Sequence, residues 1–108
     1  MSVYLIADIE LKDPSWVPDY AANVHKIVER HGGRYLSRSG NIENIEGESP
    51  TSTLIAIISF PSREALASFA ADPEYAPYGR ARQAGSNSRF RLIDDTDIAG
   101  TIPYLRAG

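Results

Sequence analysis

The sequence contains no cysteine, a single tryptophan, a single methionine and two histidines among 108 residues. Without cysteine there is no disulfide, no thiolate nucleophile and no thiolate-ligated metal. His25 and His31 lie six apart in one helical stretch. That is a rotation of about 600°, which leaves them roughly 120° out of line. They do not converge on one ion, and no metal and no cofactor is expected. Lysine is almost as scarce, with Lys12 and Lys26 set against nine arginines. Lys and Arg total 11, Asp and Glu 14, and the net charge is −3. A chain without a basic excess lacks the footprint that neutralises phosphates, so no nucleic-acid partner is expected. Long apolar runs are missing too. The uncharged stretch Thr51–Pro61 is shorter than the about 20 residues that cross a bilayer, so no membrane partner is expected. Strand-like alternation begins at Val3, which leaves no room for a signal peptide. Together with the missing cysteines this points to the cytoplasm. There is no Gly-x-Ser-x-Gly turn and no Walker loop.

What is present reads as regular structure. Val3, Leu5, Ala7 and Ile9 alternate with Tyr4, Ile6, Asp8 and Glu10, the period of a strand with unlike faces. Asp13-Pro14 supplies an N-cap and a first-turn proline. The helix that follows, about 17 residues long, carries Trp16, Tyr20, Val24, Ile27, Val28 and His31 on one side. Gly32-Gly33 ends it. Arg34–Ser39 predicts a strand with Tyr35, Ser37 and Ser39 opposed to Arg34, Leu36 and Arg38. Gly40-Asn41 is expected to bend or bulge that strand, and Ile42–Ile45 to extend it. A loop follows at Gly47-Glu48-Ser49-Pro50, then a buried central strand over Thr53–Phe60. Ser62 caps a second helix that turns Leu66, Phe69 and Ala70 inward. Asp72-Pro73 opens a short helix with Tyr75, Tyr78 and Arg82, closed by Gly85. Ser88–Asp94 is the last strand.

The order β-α-β-β-α-β predicts an α+β, ferredoxin-like fold: a four-stranded antiparallel sheet with helices on one face. Residues 1–95 are read as one domain and 96–108 as a C-terminal tail. The uncovered face would carry Tyr4 and Ile6, and a half-apolar face exposed to water marks an interface. Self-association into a homodimer through the sheet faces is therefore expected.

The tyrosines Tyr20, Tyr35, Tyr75 and Tyr78 sit on elements that converge between sheet and helices. An aromatic wall with a few polar groups is how small-molecule sites look. His25, Tyr35 and Arg38 are the candidate catalytic residues, with Tyr20, Tyr75 and Arg82 as ligand-binding residues. Arginine recognises carboxylates in a bidentate fork, and histidine moves a proton near neutral pH. An anionic or enolic metabolite would suit them. The plainer account makes the tyrosines core residues and pairs each arginine with a carboxylate, Arg38 with Asp8 among them. His31 then serves only the helix dipole.

Several segments carry a resemblance. They are Tyr4-Leu5-Ile6-Ala7, Asp13-Pro14 with Tyr20, and His31-Gly32-Gly33-Arg34-Tyr35-Leu36 with Arg38. Glu46-Gly47, Phe60-Pro61-Ser62-Arg63-Glu64-Ala65, and Pro73-Glu74-Tyr75 with Arg82 complete the set. In this order, over roughly residues 3 to 95, the chain resembles the domain-of-unknown-function family thirteen-thirty of the dimeric α/β-barrel superfamily. It departs from the family pattern at Ser39-Gly40-Asn41 and in its longer tail after Asp95. The resemblance implies a dimer of packed sheet faces. Superfamily relatives include cofactor-free monooxygenases, lactone isomerases and haem-containing dye-decolourising peroxidases, while the family has no established reaction. Two functions are therefore weighed. One is a cofactor-free enzyme or binder of a small oxygenated metabolite in a sheet–helix cleft. The other is a non-catalytic dimeric structural or interaction module.

Overall fold

The structure, a computed structural model, describes residues 2–48 and 51–100. Ser49-Pro50 of the expected loop and residues 101–108 of the expected tail, with Pro103 and Leu105, lie outside the described residues. Four strands form one antiparallel sheet: β1 (Val3–Leu11), β2 (Arg34–Ser39), β3 (Leu54–Phe60) and β4 (Ser86–Asp94). Their spatial order is β2-β3-β1-β4, the ferredoxin-like order. Helices α1 (Val17–Arg30), α2 (Arg63–Ala70) and α3 (Ala76–Gly85) cover one face.

Two of the expected caps are in place. Asp13 Oδ1 accepts the Ser15 N–H at 2.9 Å and opens a 3₁₀ turn, Pro14–Trp16, that leads into α1. Ser62 Oγ accepts the Ala65 N–H at 3.0 Å at the head of α2. At the end of α1, Gly32 takes φ of +77°. The Gly33 N–H then reaches the Val28 carbonyl at 2.9 Å, and that of Gly32 reaches Glu29 at 3.0 Å. This is the paired-bond stop that lets the chain reverse at once into β2, and a side chain at Gly32 would cost on the order of 1 kcal/mol.

The core lies between sheet and helices. Val3, Leu5, Ile58 and Phe60 from the sheet meet Val24, Ile27 and Val28 of α1, Phe69 of α2 and Tyr75. Phe60 is among the largest fully buried side chains, and truncating such a ring to alanine costs about 3–5 kcal/mol.

Strand β2 differs from its expected form in three ways. It ends at Ser39, and residues 41–48 carry no strand, so Ile42–Ile45 does not extend it. The irregularity falls between Tyr35 and Ser37 rather than at Gly40-Asn41: Tyr35 pairs with Ile58, Ser37 with Ile57 and Arg38 with Ala56. Leu36 is thus an extra residue opposite no partner. The third difference follows from the second. Ile58 and Ala56 both face the helices, so the bulge puts Tyr35 and Arg38 on the same face, where strict alternation would separate them.

Candidate functional site

One row of side chains crosses the helix-covered face of the sheet. Arg38 of β2 pairs with Ala56 of β3, Ala56 with Ala7 of β1, and Ala7 with Phe90 of β4. At strand spacings of roughly 4.8 Å the row spans about 14 Å. Its two central members are alanines on strand faces whose other core-side residues include Val3, Leu5, Ile9, Leu54, Ile58 and Phe60. Above them α1 places Ala21. Three small side chains facing one another leave space that larger residues around them do not close. The result is a cavity of about 250 Å³ with Tyr35 and Arg38 at one end and Phe90 at the other. Leu5, Ile9, Leu54 and Ile58 complete the floor, and Trp16, Val17 and Tyr20 the roof.

Trp16 is seated by the end of α3. Its indole N–H donates to the Gly85 carbonyl at 3.2 Å, which also accepts the backbone N–H groups of Lys12 and Asp13, each at 2.9 Å. Only glycine fits there, since a Cβ on Gly85 would lie 2.4 Å from Trp16 Cδ1.

The polar groups in this apolar chamber are few. The Tyr20 hydroxyl shares a hydrogen bond with that of Tyr75 at 3.0 Å, and its ring meets Trp16, Tyr75 and Tyr78 edge-on. Burial, then the neighbouring Tyr75, pushes the Tyr20 pKa well above the usual phenol value, against the opposing charge of Arg82. Burial also raises that of Tyr35, and Arg38 opposes it. The Arg38 guanidinium carbon stands 4.6 Å from the Tyr35 ring centroid. Both phenols therefore stay protonated at neutral pH and offer O–H donors, while Arg38, exposed at the mouth and stacked on Tyr35, offers a cation. No Asp, Glu or His lines the cavity.

The six candidate residues from the sequence fall into three positions. Tyr20, Tyr35 and Arg38 line the cavity. Tyr75 stands behind Tyr20 as its hydrogen-bond partner, buried in the core. His25 and Arg82 lie off the cavity. The His25 ring is bonded through Nδ1 to the Ala21 carbonyl at 3.3 Å, and it lines an open depression that shares Tyr35 and Arg38 with the cavity. Arg82 packs behind the far wall, its guanidinium carbon 4.3 Å from the Phe90 ring centroid. Asp8 does not pair with Arg38, because it faces the opposite side of the sheet. His31 does more than complement a helix end: its Nε2 is 2.8 Å from Asp72 Oδ2. Among the described residues, no cluster of three His, Asp or Glu could hold a metal. Ala7, Ala56, Trp16 and Phe90 were missed by the sequence reading. The available signal was a small residue on the core side of a strand of large ones.

The fold recurs in solved structures. A protein of unknown function from Rhodopseudomonas palustris, RPA0582, shares 18% identity over 89% of this chain and 83% of its own, with a TM-score of 0.75. SnoaB, a cofactor-independent oxygenase from Streptomyces nogalater, shares 15% identity over 89% of this chain and 94% of its own, with a TM-score of 0.63. An antibiotic biosynthesis monooxygenase shares 15% over 90% of this chain and 100% of its own, with a TM-score of 0.60. At these identities the likeness establishes the fold alone. No curated protein matches the chain in sequence. Residues 2–96 match the family described as Domain of unknown function (DUF1330), and with that much of the chain matched the protein belongs to this family.

Proposed function

We propose that this protein binds a small, largely apolar metabolite bearing an acidic oxygen, such as a phenol, an enol or a carboxylate, in the cavity between α1 and the sheet. One observation carries the reading: the row Arg38-Ala56-Ala7-Phe90, a cation at one end of an apolar trough of about 250 Å³ and an aromatic ring at the other. That volume lies just below the roughly 300 Å³ at which ligand sites begin. Arg38, exposed at the mouth, supplies the charge for an anionic oxygen whose apolar remainder fills the trough, and the protonated Tyr35 and Tyr20 hydroxyls add donors. Such a site favours the ionised form of its ligand.

As an enzyme, the protein would use Arg38 and Tyr35 to hold the developing enolate or phenolate. His25, across that pair in the open depression, would take the released proton at the cavity mouth. SnoaB shows that this fold supports cofactor-independent oxygenation in another protein, and an enolate or phenolate held in a dry pocket is the form of substrate such chemistry needs. A second copy of the chain is the other partner in this reading, packed on the sheet face that the helices leave bare.

2-Naphthol serves as a probe, since it is apolar, small and acidic at one oxygen. Its absorbance is expected to report binding and a ground-state ionisation midpoint shifted to lower pH in the complex. Ala56→Leu, which fills the floor, should block binding. Arg38→Ala should leave binding but remove the shift. An unshifted midpoint in the wild type, or undiminished binding by Ala56→Leu, would overturn the proposal.

A further inference from the structure

A second site lies at the junction of α3 and β4, on the far side of Phe90 from the cavity. Arg82, in the last turn of α3, is only 7% exposed. Charged side chains are almost never buried to this degree without a partner. Yet among the described residues Arg82 forms no ion pair, and its buried Nε has no hydrogen-bond partner. The Phe90 ring lies against its guanidinium carbon at 4.3 Å. A ring face offsets part of the desolvation of a cation but cannot accept the in-plane Nε–H. The helix end does not use the guanidinium as a cap either. The Gly85 carbonyl already has three donors, and the Arg82 carbonyl accepts the Ser86 hydroxyl at 2.6 Å.

Beside this cation the surface forms an open depression around the end of β4, lined by Arg82, Gln83, Ser88 and Arg89 among others. Arg89 forms no ion pair among the described residues. The nearby Glu10 carboxylate accepts from Asn87 Nδ2 at 2.9 Å and from the Thr51 hydroxyl, pairs with Lys12 Nζ at 3.3 Å, and feels the Arg89 charge without a direct bond to it. The Ser88 and Ser86 hydroxyls are 2.7 Å apart, and Ser86 spends its proton on the Arg82 carbonyl. The Ser88 proton is therefore directed to Ser86, and the depression is left with arginine and amide donors rather than hydroxyl donors.

We propose that this depression binds a small oxyanion, a carboxylate or a phosphate group, with the Arg82 guanidinium as the recognising group and Arg89 as a second cation at its rim. A buried guanidinium with an unused N–H and no internal carboxylate is the complement of such an anion. The site stands apart from the naphthol-binding cavity, and either can fail without the other.

The test is a titration of the uniformly ¹⁵N-labelled protein, following arginine Nε–H signals by NMR. Inorganic phosphate and acetate are the probes, and sodium chloride at matched ionic strength is the control. The Arg82 Nε–H signal is expected to shift saturably with at least one probe and to stay in place with chloride. A shift with phosphate alone identifies a phosphate site, and a shift with both identifies a general carboxylate and phosphate site. Arg82→Gln should weaken the affinity at least about tenfold, with Arg89→Gln weakening it less. Should Arg82→Gln fail to fold, the wild-type titration decides by itself. An Arg82 signal that ignores both anions, or follows chloride equally, overturns the proposal.

Discussion

Two phenols of the cavity are held protonated by what surrounds them, and this has a measurable consequence for stability. The pKa of Tyr20 is raised chiefly by burial and secondly by Tyr75; that of Tyr35 is raised by burial. In the unfolded chain both phenols ionise near pH 10. Folding is therefore stabilised in full below about pH 10, and that contribution is lost as pH rises towards the folded-state values. Tyr20→Phe should flatten this alkaline decline, although at neutral pH it loses the bond to Tyr75. Urea midpoints at a series of pH values check it, and unchanged alkaline slopes would contradict it. The acid limb is shared by Asp72 with Glu10, Asp13 and Asp94, whose carboxyls are likewise held low, and Asp72 joins two elements through its own. His31 Nε2, the Glu74 N–H and Arg30 together hold its carboxyl below the usual carboxylate range, the bond with His31 first. Its contribution is present above about pH 4 and fades as pH falls through the lowered folded value. Asp72→Asn should give a flatter acid limb than the wild type in the same experiment.

Elements, rather than single residues, set the shape of the cavity. The extra residue Leu36 turns Arg38 towards the helices, so the position of that cation is a property of β2 as a whole. Deleting Leu36 should remove the bulge and leave Ser37 opposite Ile57 and Arg38 opposite Ala56, two positions from Tyr35 and on the same face. The far-ultraviolet circular dichroism of a folded sheet and the naphthol midpoint shift are then both expected to persist. Loss of the shift from a folded variant would show that pairing register alone does not place the cation. The close approach of α3 to the Pro14–Trp16 turn sets the roof. Gly85→Ala should push Trp16 out of its seat, costing about 1–3 kcal/mol, the usual range for overpacking. Trp16 is the only tryptophan, so its fluorescence reads both the displacement and the urea denaturation that measures the cost. The bulge was illegible in the sequence for a physical reason. Arg34-Tyr35-Leu36-Ser37-Arg38 alternates acceptably in either register, and only pairing with Ile58, Ile57 and Ala56 selects one.

At the scale of the molecule the sheet has one covered and one open face. The open face carries Tyr4, Ile6, Ile55 and Ile57, with Ile93 on the edge strand 52% exposed. A second copy of the chain is expected to cover it, with an interface above roughly 1,200 Å². Light scattering at micromolar concentration should give the mass of a dimer, and Ile57→Lys should give that of a monomer. A monomeric wild type would remove self-association from the proposed function. No helix among the described residues is long and apolar enough to cross a membrane.

The sequence by itself determined the element order, the helix caps at Asp13 and Ser62, the stop at Gly32-Gly33 and the two unlike faces of β1. These are local matters: a cap, a turn and a period of two are settled by residues within a few positions of one another. It also brought forward Tyr20, Tyr35 and Arg38, because polar and aromatic side chains on core-facing elements stand out against aliphatic neighbours. Tertiary structure alone decided that Ala56, Ala7 and Ala21 meet from three elements to leave a hollow. It alone decided that Arg38 faces that hollow and not Asp8, and that Arg82 is buried behind Phe90 with no ion pair among the described residues. A cavity is an absence shared between distant segments, and an unpaired charge is a relation among all its neighbours. Neither is encoded in any one stretch of chain, so each comes into being only when the strands register and the helices close over them.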